Sequence, residues 1–434
     1  MRHIILLTAA LPWVTLAQPR SLTVDEAVQL ALENNRTLHS SMIKVESADA
    51  RWSEVNANRL PTLKLQAGYT RLSEVDPFAV QVPFAPNPIT ISPIVLNNYS
   101  LRLTVQQPLF TGFRLLNSAR AAERNAHAAL QDYETDKANM TLAVKTAYWN
   151  LFKAVELERV VTENVAQVRS HRADVENFMN QGLAIRNDLL KVDVQVSNTE
   201  LIHIDAKNAV MLATMNLNNL IGLPLETQTH LASQIDTNIT DQPSAAKLAD
   251  EALAARPELR ALEARVSAAD ASLSAAHGSW YPQLYLTGNY YYSRPNQRIM
   301  PTKDEFRDTW DIGLGLSFDV WNWKTTAFQT TQAAAARTQT QDALQQAKDA
   351  VVLDVTRSYL EVAKAREKVG VAATGVAQAE ENYSVTSSKF KTGLATNSDL
   401  LDAEVALLQA KTNHVNALVD HALAKAQLQK AVGR

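Results

Sequence analysis

The stretch FKTGLATNSDLLDAEV, Phe390 to Val405, decides how this chain folds. It reads as a reversal between two long helices. Gly393 supplies the left-handed backbone that ends one helix. Asn397 or Ser398 caps the next, because a short polar side chain accepts from the free N–H groups at a helix start. Asp399 then falls in the first turn, where the helix dipole favours negative charge. Asp399 and Asp402 are three apart and share one face. The same stretch occurs earlier as FMNQGLAIRNDLLKV, Phe178 to Val192. Gly182 answers Gly393, Asn187 answers Ser398, and Asp188-Leu189-Leu190 answers Asp399-Leu400-Leu401.

Residues 113–180 contain no proline or glycine and keep a helical pattern. A continuous helix of that length would reach roughly 100 Å, more than a globular domain needs. After Gly182 the chain returns as a helix to about Leu220, closed by Gly222 and Pro224. The second half repeats this plan. Ser358-Tyr359-Leu360-Glu361 answers Ala147-Tyr148-Trp149-Asn150, and Gly433 answers Gly222. Such self-similarity marks an internal duplication.

The long helices carry seven-residue seams, as in Val355, Val362, Val369, Val376, Tyr383 and Phe390. Large and small residues alternate along them, which signals closely packed coiled coils. In the first repeat Ala147, Ala154, Val161, Val168 and Val175 keep one seam, but Glu158 and Arg172 interrupt the other. That predicts a first pair that is looser or that touches a partner.

Ahead of each long helix the period changes from helical to alternating. Leu63, Leu65, Ala67 and Tyr69 alternate with polar residues, as do Leu101, Leu103 and Val105. The second repeat matches them with Leu284, Leu286, Tyr290 and Tyr292, then Ile312, Leu314, Leu316 and Phe318. These are strands with one apolar face, paired as hairpins at 63–108 and 284–320. Four strands cannot close a barrel, and an open edge in lipid leaves backbone groups unpaired. Sharing one barrel among identical chains solves this, and three chains give twelve strands. Tyr69, Tyr99, Phe110, Tyr281, Trp310, Trp321 and Trp323 cluster around the hairpins, and tyrosine and tryptophan favour a membrane–water boundary.

Residues 1–17 read as a secretory signal: Arg2 and His3, an apolar run, then Thr15-Leu16-Ala17. Residues 18–225 form the first repeat with its turn near 182–188. A polar linker follows at 226–244. Residues 245–434 form the second repeat with its turn near 393–399. Composition excludes several functions. There is no cysteine, so no thiolate nucleophile or cysteine metal site. The net charge of −3 gives no basic face for nucleic acid. His414 and His421 are seven apart, too far for both to ligate one metal, and no cofactor, phosphate loop or nucleophile–base motif is expected.

The order and spacing of these features resemble the TolC family of outer-membrane channel proteins. The resemblance is carried by SLTVDEAVQLALENN (Ser21–Asn35), the two helix–hairpin–helix repeats, QQPLFTGFR (Gln106–Arg114) and the two GLAxxxDLL turns. It runs from about Ser21 to Gly433. It implies a mainly α fold: a long coiled-coil helical barrel continuous with a twelve-stranded antiparallel transmembrane β-barrel shared by a homotrimer. It also implies outer-membrane lipid around the barrel, a periplasmic adaptor, and an inner-membrane pump of RND or ABC type. Asp399 and Asp402 are then expected to narrow the periplasmic mouth and bind cations. Asp188, Arg186 and Lys191 are expected to help close it. Gly182-Leu183-Ala184 and Gly393-Leu394-Ala395 are expected to meet the adaptor. Ending at Gly433-Arg434, the chain is expected to build a slim belt from Glu226–Ser244 and Ser21–Asn35.

The resulting reading is a passive exit duct, not an enzyme, for drugs or other small toxic molecules. Export of a polypeptide by type I secretion is the alternative. A non-conducting exported coiled-coil rod would explain the heptads but not the hairpins.

Overall fold

The computed structural model describes residues 20–76, 78–84, 86–92, 94–235 and 243–434. The expected signal at 1–17 and part of the expected linker, 236–242, lie outside them. In chain order the elements are β1 (Arg20–Leu22), α1 (Val24–Asn34), α2 (Arg36–Ala57), β2 (Thr62–Arg71), β3 (Phe78–Val80), β4 (Ile89–Ser92), β5 (Asn97–Phe110), α3 (Arg114–Asn180) and α4 (Arg186–Ile221). They continue with β6 (Thr229–Leu231), α5 (Ala245–Ala255), α6 (Pro257–Gly278), β7 (Gln283–Arg294), β8 (Arg307–Ser317), α7 (Thr325–Lys391) and α8 (Asn397–Val432). The duplication shows in the helix lengths. α1 and α5 have 11 residues each, α2 and α6 have 22, α3 and α7 have 67, and α4 and α8 have 36.

The chain divides into two compact units, and α2, α3 and α7 contribute to both. The unit holding 43–132 and 258–347 contains a four-stranded antiparallel sheet in the order β2-β5-β7-β8. The two hairpins are joined edge to edge by β5 and β7, with Leu101 opposite Tyr292 and Leu103 opposite Tyr290. Side chains alternate across a strand, so the apolar set falls on one face. That face is uncovered within the chain: Leu63, Leu65, Trp310, Ile312, Leu314 and Leu316 are each about two-thirds exposed. β5 runs on to Phe110, beyond the expected end at Pro108, through an irregularity between Pro108 and Phe110. The small hairpin β3–β4 inside the first connection was not expected.

Both steps from this sheet into a following helix use two successive residues at positive φ. These are Gly112-Phe113 before α3 and Trp323-Lys324 before α7. Gly112 also packs against Gly278 at the end of α6, leaving no room for a side chain at either position. No described helix is long and apolar enough to cross a membrane.

The other unit holds residues up to 42, 133–257 and 348–434. Its core gathers Leu22, Ala27, Ala31, Val144, Tyr148, Leu151, Leu217, Ile221 and Val419. The Tyr148 hydroxyl donates to the Leu22 carbonyl at 2.9 Å and accepts the Ser233 N–H at 2.9 Å. It thereby pins the segments around β1 and β6 to α3. Those two strands pair in parallel, an addition that periodicity over three residues cannot announce. Gly222 and Gly433 end α4 and α8 in left-handed conformation, against Asn34 and Ala255 respectively.

Within one protomer the first helix pair is not the looser one. Val161, Val168 and Val175 of α3 are buried, whereas Val369 and Val376 of α7 are only half-buried. The charges that seemed to spoil the seam have partners. Arg172 Nε donates to Asp193 on α4 at 2.6 Å, and Arg172 Nη1 to Glu176 at 2.9 Å.

Candidate functional site

The two helix reversals lie together at one end of this second unit. Both are built the same way. The Leu183 N–H bonds back to the Phe178 carbonyl and the Gly182 N–H to Met179; Leu394 and Gly393 do the same with Lys389 and Phe390. This nested pair of bonds satisfies the last helical carbonyls and requires a left-handed residue. Gly182 and Gly393 provide it, at φ of 73° and 74°, with open space around both.

The next helix starts differently from expectation. The cap of α8 is Thr396, not Asn397 or Ser398, which already lie in the helix. The Thr396 hydroxyl accepts the Asp399 N–H at 3.2 Å. The Asp399 carboxylate accepts from the Thr396 N–H at 2.8 Å and the Thr396 hydroxyl at 2.7 Å. This is a capping box with aspartate in place of the usual glutamate. These hydrogen bonds, the hydroxyl's first and the backbone's second, hold the Asp399 carboxyl below the usual carboxylate range. A lowered folded-state pKa stabilises above the unfolded value, and that contribution is lost as pH falls through the folded value. Thr396→Ala is expected to cost about 1 kcal/mol, and less under acid conditions. Urea unfolding at neutral and acid pH checks this; an equal cost at both would count against the box.

Asp402 is exposed on the next turn and makes no hydrogen bond or ion pair among the described residues. Asp188 closes the start of α4 more weakly, accepting from the Ile185 N–H at 3.5 Å. Its backbone carbonyl accepts from Asn397 Nδ2 at 3.2 Å, and Lys191 Nζ donates to the Ser398 hydroxyl at 3.4 Å. These two contacts tie one reversal to the other. Arg186 is exposed and joins neither. Ala184 and Ala395 turn inward onto a cluster of Val168, Val175, Val192, Phe390 and Leu400. Leu183 and Leu394 point outward, 73% and 78% exposed.

Sequence reasoning missed the polar pair just inside this cluster. His171 Nδ1 on α3 lies 3.2 Å from Glu404 Oε2 on α8, and both side chains are almost wholly buried. The His171 ring meets Phe390 edge-on. Nearby, burial first and the Glu404 carboxylate second hold the Tyr383 hydroxyl above its ordinary pKa. The duplication held the clue. Asp193 and Glu404 are equivalent positions, as are Arg172 and Tyr383. Asp193 pairs within its own hairpin, with Arg172. Glu404 faces a tyrosine there and reaches across to the other hairpin instead.

A bundle end with paired reversals, joined in one chain to an apolar-faced sheet, matches a known architecture. The outer membrane efflux protein family matches residues 27–223 and 248–434. The chain belongs to this family of outer membrane efflux proteins. The chain is similar to the outer membrane protein TolC of Vibrio cholerae, 26% identical over 326 residues, 73% of this chain and 72% of that one. It is also similar to the alkaline protease secretion protein AprF of Pseudomonas aeruginosa, 24% identical over 345 residues, 78% of this chain and 70% of that one. The solved CmeC outer membrane channel of Campylobacter jejuni shares the fold, with a TM-score of 0.80 at 17% identity, covering 100% of this chain and 94% of that one. This efflux protein is therefore an outer-membrane channel rather than an enzyme. The apolar face of its sheet is uncovered, as a strand face turned to lipid in a membrane barrel has to be apolar.

Proposed function

We propose that this channel is the outer exit duct of a three-part export machine, conducting drugs or other small toxic molecules passively from an inner-membrane pump and a periplasmic adaptor. The observation that carries the reading is the open four-stranded sheet. Its apolar face is bare, and β2 and β8 have no outer neighbour among the described residues. Three copies would pair those edges into twelve strands. The energy of transport comes from the pump, which is of RND or ABC type. The two repeats, 18–225 and 245–434, with the linker 226–244 between them, serve as the two halves of each protomer's wall, and 1–17 is removed on export. Purification from outer membranes in mild detergent, followed by native mass measurement and planar-bilayer recording, tests this. A water-soluble monomer without conductance would leave a coiled-coil rod as the better account.

At the periplasmic end, Asp402 is the cation-binding member of a constriction and Asp399 adds charge while capping α8. Asp188 and Lys191 hold the closed arrangement through their contacts with α8, and Arg186 adds surface charge beside them. The outward Leu183 and Leu394, on the turns Gly182–Ala184 and Gly393–Ala395, are the adaptor's grip. Asp402→Asn is expected to raise the divalent-cation concentration for half-block of current by about tenfold. Unchanged block would remove Asp402 from the pore. Export of a polypeptide is the second reading, supported by the similarity to a protease secretion protein. Comparing drug accumulation with secreted protease in a deletion strain separates the two.

A further inference from the structure

The strands meet the helices at the Phe110, Gln283 and Ser317 ends, so the β7–β8 connection, Pro295–Phe306, stands at the opposite end of the sheet. It does not project freely there. Asn296 is buried, and its amide donates to the Arg307 carbonyl at 3.1 Å and the Thr309 hydroxyl at 3.2 Å. Its Oδ1 accepts the Arg298 N–H at 3.0 Å. Arg298 Nη2 donates to Asp311 Oδ2 at 2.6 Å, and the guanidinium lies 4.3 Å from the centre of the Tyr291 ring.

Asp311 sits four residues inside β8, about 13 Å from its start. Asp311 Oδ1 accepts from Asn289 Nδ2 at 2.7 Å. Asn289 Oδ1 in turn accepts from Arg102 Nη2 at 2.8 Å and the Thr104 hydroxyl at 2.9 Å.

The strand register assigns a side to every one of these groups. Arg102 is opposite Tyr291, Tyr291 opposite Thr309, and Asn289 opposite both Thr104 and Asp311. All share the polar face, because alternate residues share a face. The far end of the connection stays on the apolar side. There Phe306 stacks on Tyr292 with ring centres 5.2 Å apart, and Arg294 Nε donates to Asp304 at 2.7 Å. The connection therefore crosses the lip of the sheet and is fastened down its polar face.

We infer that this connection is a strap lying inside the outer mouth of the duct, where it excludes large solutes coming from the exterior and is held by Arg298 on Asp311. The inference rests on the reading that three copies close the sheet with its polar face inward. The strap then makes a size-selective constriction at the mouth of the closed sheet. Arg298 is its specificity-determining residue, because it joins the connection to both Asp311 and Tyr291.

The chain has no cysteine, so a single introduced thiol reports without background. Thr287 lies on the polar face, opposite Gln106 and Gly313, deeper than Asp311. The test places Thr287→Cys in intact cells and applies two membrane-impermeant maleimides, one small and one on a long polyethylene glycol. With the strap intact, the small reagent is expected to label and the large one to be excluded. Arg298→Ala, and independently Asn296→Ala, are expected to speed labelling by the large reagent about tenfold. Gln297→Cys, exposed on the connection itself, should react with both reagents in every background. Equal labelling of Thr287→Cys by the large reagent with and without Arg298 overturns the strap while leaving the duct standing. Failure of the small reagent to reach Thr287→Cys in any background overturns both.

Discussion

Gly278→Ala is expected to lower the stability of the sheet-bearing unit by about 3 kcal/mol or more. A Cβ at this position would lie 2.6 Å from the Gly112 carbonyl oxygen and 2.9 Å from both the Arg114 backbone nitrogen and its Cβ. Two of the three are backbone atoms, fixed by the step from β5 into α3, so no rotamer change relieves the overlap. The reverse substitution is worse placed. A Cβ on Gly112 would meet the Gly278 carbonyl at 2.2 Å, and Gly112 also has φ of 60°. Gly182→Ala is the control, with a similar positive φ and nothing within 4 Å. It should cost about 1 kcal/mol, the left-handed penalty alone. Thermal melts followed by helical circular dichroism compare the three. A Gly278→Ala shift no larger than that of Gly182→Ala would mean the two backbones are not in contact.

Glu404→Ala is expected to destabilise by about 3 kcal/mol, between the cost of orphaning a buried polar group and that of orphaning a buried charge. The change leaves the His171 ring sealed between α3 and α8. Its Nε2 already lacks a partner among the described residues, as does the second oxygen of Glu404. Such a half-satisfied pair contributes little net stability, yet removing one member is costly. The double variant His171→Leu with Glu404→Leu is therefore expected to be neutral or stabilising, within about 1 kcal/mol. Denaturant unfolding of His171→Leu, Glu404→Leu and the double forms a closed cycle. Additive losses would show that the two residues do not depend on each other.

The reversals and strands could be read from the sequence because their causes are local. A glycine at positive φ, the period of two in Leu63–Tyr69 and the repeated Asp-Leu-Leu each act within a few residues. The cap of α8 lies one or two positions ahead of the expected Asn397 or Ser398 because Thr396, Asn397 and Ser398 are all competent caps. What chose Thr396 was the reciprocal carboxylate of Asp399 three residues on. The pairing of β5 with β7, the Tyr148 anchor on Leu22, and His171 with Glu404 join residues more than a hundred positions apart. No local pattern encodes such partners. Glu404 is one of many acidic residues on the long helices, and only its position between Leu400 and Leu407 marks it as inward-facing. Arg298 on Asp311 was equally hidden, since an ion pair between a connection and a strand leaves no periodic trace.

The matched lengths of the four long helices carry a consequence for how such a chain can change over time. One residue inserted into α3 would rotate everything after it by about 100° and advance it by about 1.5 Å. Val161, Val168 and Val175 would then leave their seam unless the neighbouring helices changed in step. A single insertion is thus nearly forbidden in α3, α4, α7 and α8, however freely their surface residues are exchanged. Seven-residue insertions keep the face, but they would have to be made in all four helices together. Length is free to drift only between strands. There the two halves do differ, with residues 72–96 linking one hairpin and 295–306 the other. Gain and loss of residues in descendants of this duplication should concentrate in those two connections, and the helical wall should change by substitution alone.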